Sequence, residues 1–92
     1  MILEIVSPEA TLFKGEVTSV SLPGVTGSFQ ILNNHAPIVS LLVEGTVIFK
    51  GANIKIEEGF KEKFSENKGE FSLPIKSGTI EMKENKVIIL AD

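Results

Sequence analysis

Apolar residues in this chain never run far before a turn-former interrupts them. Turn signals recur at Pro8, Gly15, Pro23-Gly24, Gly27, Asn33-Asn34, Gly45, Gly51, Gly69, Gly78 and Asn85. The intervals are too short for ordinary helices and suit strands. Short strands with regular punctuation point to an all-β sandwich or barrel. Ninety-two residues make one domain with a modest core.

The runs themselves read as strands. "ILEIV" is apolar and β-branched, and Pro8 follows it. "EVTSVSL" places Val20 and Leu22 at period two, "SFQIL" follows, and "IVSLL" comes after Pro37. In "GTVIFK", Val47 and Phe49 share a face, as do Phe71, Leu73 and Ile75 in "FSLPI". "GTIEMKENKVIIL" predicts a hairpin turning near Glu84-Asn85, with Ile80 and Met82 across from Val87 and Ile89. One segment reads two ways. In "NIKIEEGFKEKFSENK", Ile54, Ile56, Phe60 and Phe64 alternate with charges, as in a strand pair. Yet Ile56, Phe60 and Phe64 also fall at four-residue steps, as on a helix. Gly59 and the all-β surroundings favour the strand pair.

Composition removes several functions. There is no cysteine, so disulfides and thiolate chemistry are out, and the balance leans to the cytoplasm. All nine basic residues are lysine, and neither Trp nor Tyr occurs, which argues against nucleic-acid binding. "MILEIVSPEA" lacks the basic start and apolar run of a signal peptide. No apolar stretch reaches the ~20 residues of a membrane span, so no direct membrane insertion is expected.

The stretch Leu22–Pro37, "LPGVTGSFQILNNHAP", crowds two glycines, two prolines, two asparagines and the single histidine together. Catalysis by His35 would need an orienter and a nucleophile, but the only aspartate is Asp92 and no Gly-x-Ser-x-Gly elbow exists. A zinc site on one His would need several converging carboxylates. The plainer reading is a histidine packed at a strand end with one ring nitrogen bonded to backbone, and an interface role lies between the two. Gly24 and Gly27 read as a β-turn rather than a phosphate cradle, because β-rich sequence and no helix follows. Glu57, Glu58, Glu62 and Glu66, interspersed with lysines, read as a solvated face. The residues alone therefore describe a small all-β binding or structural module, with no catalytic residue, metal or cofactor expected.

Longer matches go further. "LPGVTGSFQILNNHAPIVSLLVEGTV" resembles the signature of the epsilon subunit of the rotary ATP synthase: a Gly turn, Gly-x-Phe/Leu-Gly-Ile-Leu, a short loop, then His-Ala-Pro and an apolar strand. "LEIVSPEATLFKGEVTSVSLPG" resembles that family's opening, and "SGTIEMKENKVIILAD" its closing run, with Asn85, Leu90 and Ala91 in place. The resemblance implies a ten-stranded β-sandwich over residues 1–92, on the central stalk of a proton-transporting synthase. Implied partners are the gamma subunit, the c-subunit ring and the catalytic alpha/beta head. The implied location is the cytoplasmic face of the bacterial inner membrane, held there through the complex. Carried over residue by residue, Gly24, Val25, Thr26, Gly27, Ser28 and Phe29 would face the c ring, while His35, Ala36 and Ser40 would face gamma. The role implied is a non-catalytic rotor coupling.

Three departures stand out. Gln30 replaces the usual glycine after the aromatic. Residues Gly51–Glu70 resemble an insertion into a normally shorter hairpin. The chain stops at Asp92, whereas most family members continue into a helical hairpin that can bind ATP and restrain rotation; neither property carries over. The competing reading is a free-standing sandwich that binds a peptide or sugar, which would need aromatic platforms. With no Trp or Tyr, only core-forming phenylalanines could supply them.

Overall fold

The computed structural model describes all 92 residues. Ten strands account for nearly all the regular structure: β1 (Ile2–Val6), β2 (Thr11–Glu16), β3 (Ser19–Gly24), β4 (Gly27–Leu32), β5 (Ile38–Leu42), β6 (Gly45–Lys50), β7 (Ser65–Asn67), β8 (Glu70–Ile75), β9 (Gly78–Lys83) and β10 (Lys86–Ala91). Hydrogen-bonded neighbours run β2-β1-β10-β9-β5 and β4-β3-β6-β8-β7, and the two halves join where Gly24 of β3 pairs with Leu42 of β5. Every pairing is antiparallel except β1 with β10. The halves fold over one another as a β-sandwich. Phe13 of β2 and Phe49 of β6, from opposite halves, bring their ring centroids to 4.9 Å.

Alternation builds the core, as strand geometry requires. Leu3 and Ile5 of β1, Ile80 and Met82 of β9, and Val87 and Ile89 of β10 line one half. Val20 and Leu22 of β3, Ile31 of β4, Val47 and Phe49 of β6, and Leu73 and Ile75 of β8 line the other. No polar or charged side chain is buried. The expected β9–β10 register holds, with Met82 opposite Val87 and Ile80 opposite Ile89. Its turn places Glu84 at φ 52° and Asn85 at φ 60°, the primed geometry that tight hairpins favour.

Two sequence expectations need correction. The strand read over "EVTSVSL" is divided: Glu16 ends β2, and β3 starts at Ser19. Strand β2 escapes a period-two reading because Leu12 and Phe13 are consecutive and both buried. A register shift explains it: Phe13 opposes Ile5 while Thr11 opposes Val6, so Leu12 is the extra residue of a bulge. The second correction concerns 51–70, which is not a strand pair. Residues 51–57 pair with no strand, Glu58–Lys63 form a 3-10 helix without a side-chain cap, and only Ser65–Asn67 make a strand, added at the edge of β8. Both periodicities arose from one requirement. Ile54, Ile56, Phe60 and Phe64 are all half-buried against the core, which an irregular path satisfies as well as a ladder would. Phe64 meets Phe49 edge-on at 6.0 Å, and Phe71 stacks on Phe49 at 5.8 Å.

Candidate partner interface

The β3–β4 hairpin reverses through Val25 and Thr26, with Gly24 opposite Gly27. Glycine is needed at both positions, for different reasons. Gly27 has φ 126°, outside the range of ordinary L residues. At Gly24 a Cβ would stand 2.8 Å from the Phe29 ring and 2.9 Å from the Gly27 carbonyl oxygen. The half-buried Phe29 ring therefore lies against bare backbone, and the tip projects Val25, Thr26, Gly27 and Ser28 into solvent.

His35 lies in the β4–β5 connection and is exposed, not packed. The backbone bond expected for it is present: Nδ1 donates to the Ala36 carbonyl oxygen at 2.7 Å. A carbonyl only accepts, so Nδ1 carries a proton and Nε2 has no partner within the chain. Ala36 is exposed beside it. Ser40 belongs to the inward-facing parity of β5, opposite Ile80, and its hydroxyl donates to the Leu41 carbonyl at 3.3 Å. It is half-buried at the sheet edge.

The outward parity of β5 is what the sequence reading passed over. Val39 is 77% exposed and Leu41 65%. In register, Leu41 lies beside Thr79 of β9, Thr79 beside Leu90 of β10, and Leu90 beside Val6 of β1. Leu90 is itself half-exposed, and Val25 and Val43 join Leu41 and Leu90 around a shallow depression of about 470 Å³. Water thus meets Leu41, Leu90, Val25 and Val43 together on the outer sheet face near the β3–β4 tip, with Thr79 set between the two leucines. Scattered exposed apolar residues are ordinary, whereas a contiguous set marks a contact surface. Of the gamma-facing set that the resemblance implies, His35 and Ala36 are exposed in the connection before β5, and Ser40 has the opposite parity on β5 from Val39 and Leu41.

No group of His, Cys, Asp and Glu converges as a metal site. The largest concavity, about 590 Å³, lies at the β8–β7 end, between Ile54, Ile56, Phe64 and Phe71 with Lys55 and Glu66 at its edge. No helix is long and apolar enough to cross a membrane.

The sequence model of the family described as "ATP synthase, Delta/Epsilon chain, beta-sandwich domain" matches residues 1–62. The chain belongs to this family. Among relatives of the delta/epsilon family, the ATP synthase epsilon chain of Leptospira interrogans (serogroup Icterohaemorrhagiae serovar copenhageni) is 37% identical over 91 residues, covering 98% of this chain and 59% of that protein. That of Campylobacter curvus is 40% identical over 90 residues with the same coverages, and that of Chlorobium limicola is 37% identical over 90 residues, covering 86% of its length. The chain thus spans about three-fifths of the length of the Leptospira and Campylobacter relatives. Two solved structures share the delta/epsilon fold. One is a central stalk and c-ring structure of Tetrahymena thermophila mitochondrial ATP synthase (TM-score 0.72, 14% identity, 99% of this chain and 62% of that one). The other is a Euglena gracilis mitochondrial ATP synthase structure (TM-score 0.75, 19% identity, 99% and 49%).

Proposed function

We propose that this chain is a non-catalytic central-stalk subunit of a proton-transporting ATP synthase, joining the gamma subunit to the membrane c ring. The observation that carries this reading is the apolar row of Leu41 and Leu90, with Val39 beside it, on the outer face of β5, β9 and β10. Gamma would cover that face, with His35 and Ala36 at its rim. The β3–β4 tip, Gly24 through Phe29, would rest on the c ring, since it stands proud of the sandwich and its glycines keep it narrow. Through gamma the chain would meet the alpha/beta head. It would lie peripherally on the cytoplasmic face of a bacterial inner membrane, held there by the complex. Residues 51–70 would be a family-atypical insertion remote from both contacts, because β7 is added at the far edge of the second half. The work asked of such a subunit is mechanical, and a rigid sandwich with two contact faces meets it without a catalytic group.

The experiment is to measure affinity for purified gamma from the same organism with Val39→Glu and Leu41→Glu. A charge buried against an apolar partner weakens binding by at least about thirtyfold, roughly 2 kcal/mol. Both positions face solvent in the free chain, so Leu41→Glu should keep its melting temperature and Val39→Glu, set opposite Glu81, should lose only a few degrees while staying folded. Folded variants with unchanged gamma affinity would refute the docking face.

A further inference from the structure

The loop carrying His35 has few anchors. It turns through Asn33 and Asn34, closed by the His35 N–H donating to the Leu32 carbonyl at 3.2 Å, with Asn34 at φ 61°. Two hydrogen bonds from the turn itself tie it to distant parts of the chain. The Asn33 Oδ1 accepts from the Met1 ammonium at 2.6 Å. The Asn34 N–H donates to the Asn85 Oδ1 at 2.8 Å. Asn85 belongs to the β9–β10 turn, and its own carbonyl accepts from the Ile2 N–H at 3.1 Å. One residue thus links the β9–β10 turn, β1 and the His35 loop.

We propose that Asn85 is a positioning residue for partner docking, whose side-chain oxygen holds the Asn33–His35 turn in its bound arrangement. The inference rests on the docking reading above. Two demands meet at this position. The turn requires φ near +60°, which Asn, Asp and Gly accept with least strain. The loop requires an acceptor reaching out from that turn, which Gly lacks and Asp keeps. Without the acceptor, the Asn34 amide turns to water and the loop samples other arrangements. Those must be lost again on binding, and that ordering weakens affinity. An exposed hydrogen bond of this kind corresponds to about a threefold to tenfold change in affinity.

The test compares Asn85→Gly and Asn85→Asp in the full chain, alongside Val39→Glu. Asn34 amide exchange is followed by NMR, and gamma affinity by calorimetry. Asn85→Gly should keep the fold, speed Asn34 exchange several-fold and weaken gamma binding about threefold to tenfold. Asn85→Asp should restore both, which a merely structural turn residue would not require. Unchanged Asn34 exchange in Asn85→Gly overturns the clamp. Faster exchange with unchanged affinity, while Val39→Glu abolishes binding, overturns its role in docking. Unchanged affinity in both Asn85→Gly and Val39→Glu refutes the docking face itself, and the positioning role falls with it.

Discussion

Truncating Phe64 to alanine asks whether residues 51–70 belong to the core or merely decorate it. The ring is half-buried and meets Phe49, the largest fully buried side chain, edge-on at 6.0 Å. Removing a fully buried phenylalanine costs ~3–5 kcal/mol. Half that burial gives about 2 kcal/mol, and loss of the edge contact adds ~0.5–1.5 kcal/mol. The expected loss is therefore about 2.5–3.5 kcal/mol, a large share of the stability of so small a domain. At ~4–8 °C per kcal/mol, the midpoint should fall by roughly 10–28 °C. Thermal and urea unfolding followed by circular dichroism measure this, with an unchanged urea slope confirming that the unfolded state is not altered. Phe60→Ala is the comparator: it is also half-buried, but no aromatic partner lies within stacking range, so a smaller loss is expected. A fall of under about 2 °C for Phe64→Ala would refute the reasoning, because the segment would then cover nothing that matters.

Other consequences are equally open to measurement. His35→Ala should leave the melting temperature within about a degree, since the ring is exposed, yet weaken gamma affinity about fivefold to thirtyfold. Gly24→Ala should cost ~1–3 kcal/mol by forcing Phe29 off the hairpin, visible as a lower urea midpoint. Lys68→Asn should raise stability by about 0.5 kcal/mol, because Lys68 sits at φ 53° and asparagine tolerates that conformation better. Incubation of the pure chain with magnesium-ATP should release no phosphate above a protein-free blank; release that vanishes in His35→Ala would overturn the non-catalytic assignment.

What the sequence made legible depended on how local the cause was. The β9–β10 hairpin could be read residue by residue because Ile80, Met82, Val87 and Ile89 alternate cleanly around one turn. Strand β2 could not, since its bulge breaks the period that reveals strands. The segment from Ile54 to Phe64 carries its apolar residues at spacings that suit two structures, and the core accepts them in a third. On the interface, the glycine tip was readable from turn chemistry. Val39 and Leu41 were not singled out, although a signal existed: "IVSLL" is apolar on both parities, whereas β8 and β9 alternate cleanly. The link from Asn85 to Asn34 leaves no trace in either neighbourhood, because it joins residues that only the finished fold brings together.

The parallel pairing of β1 with β10 has a kinetic consequence. Ile2 meets Lys86 and Val6 meets Leu90, so the two strands closing the first half come from opposite ends of the described chain. Contacts this distant in sequence make folding slow, since the whole loop must close before the pairing is rewarded. A nascent chain could form the β3–β4 and β9–β10 hairpins locally, but the edge of β1 that pairs with β10 would stay open until β10 had been synthesised. The outer apolar row includes Leu90, so the docking face would also be assembled last. A partner that reads this face would thus engage only chains whose sandwich had already closed.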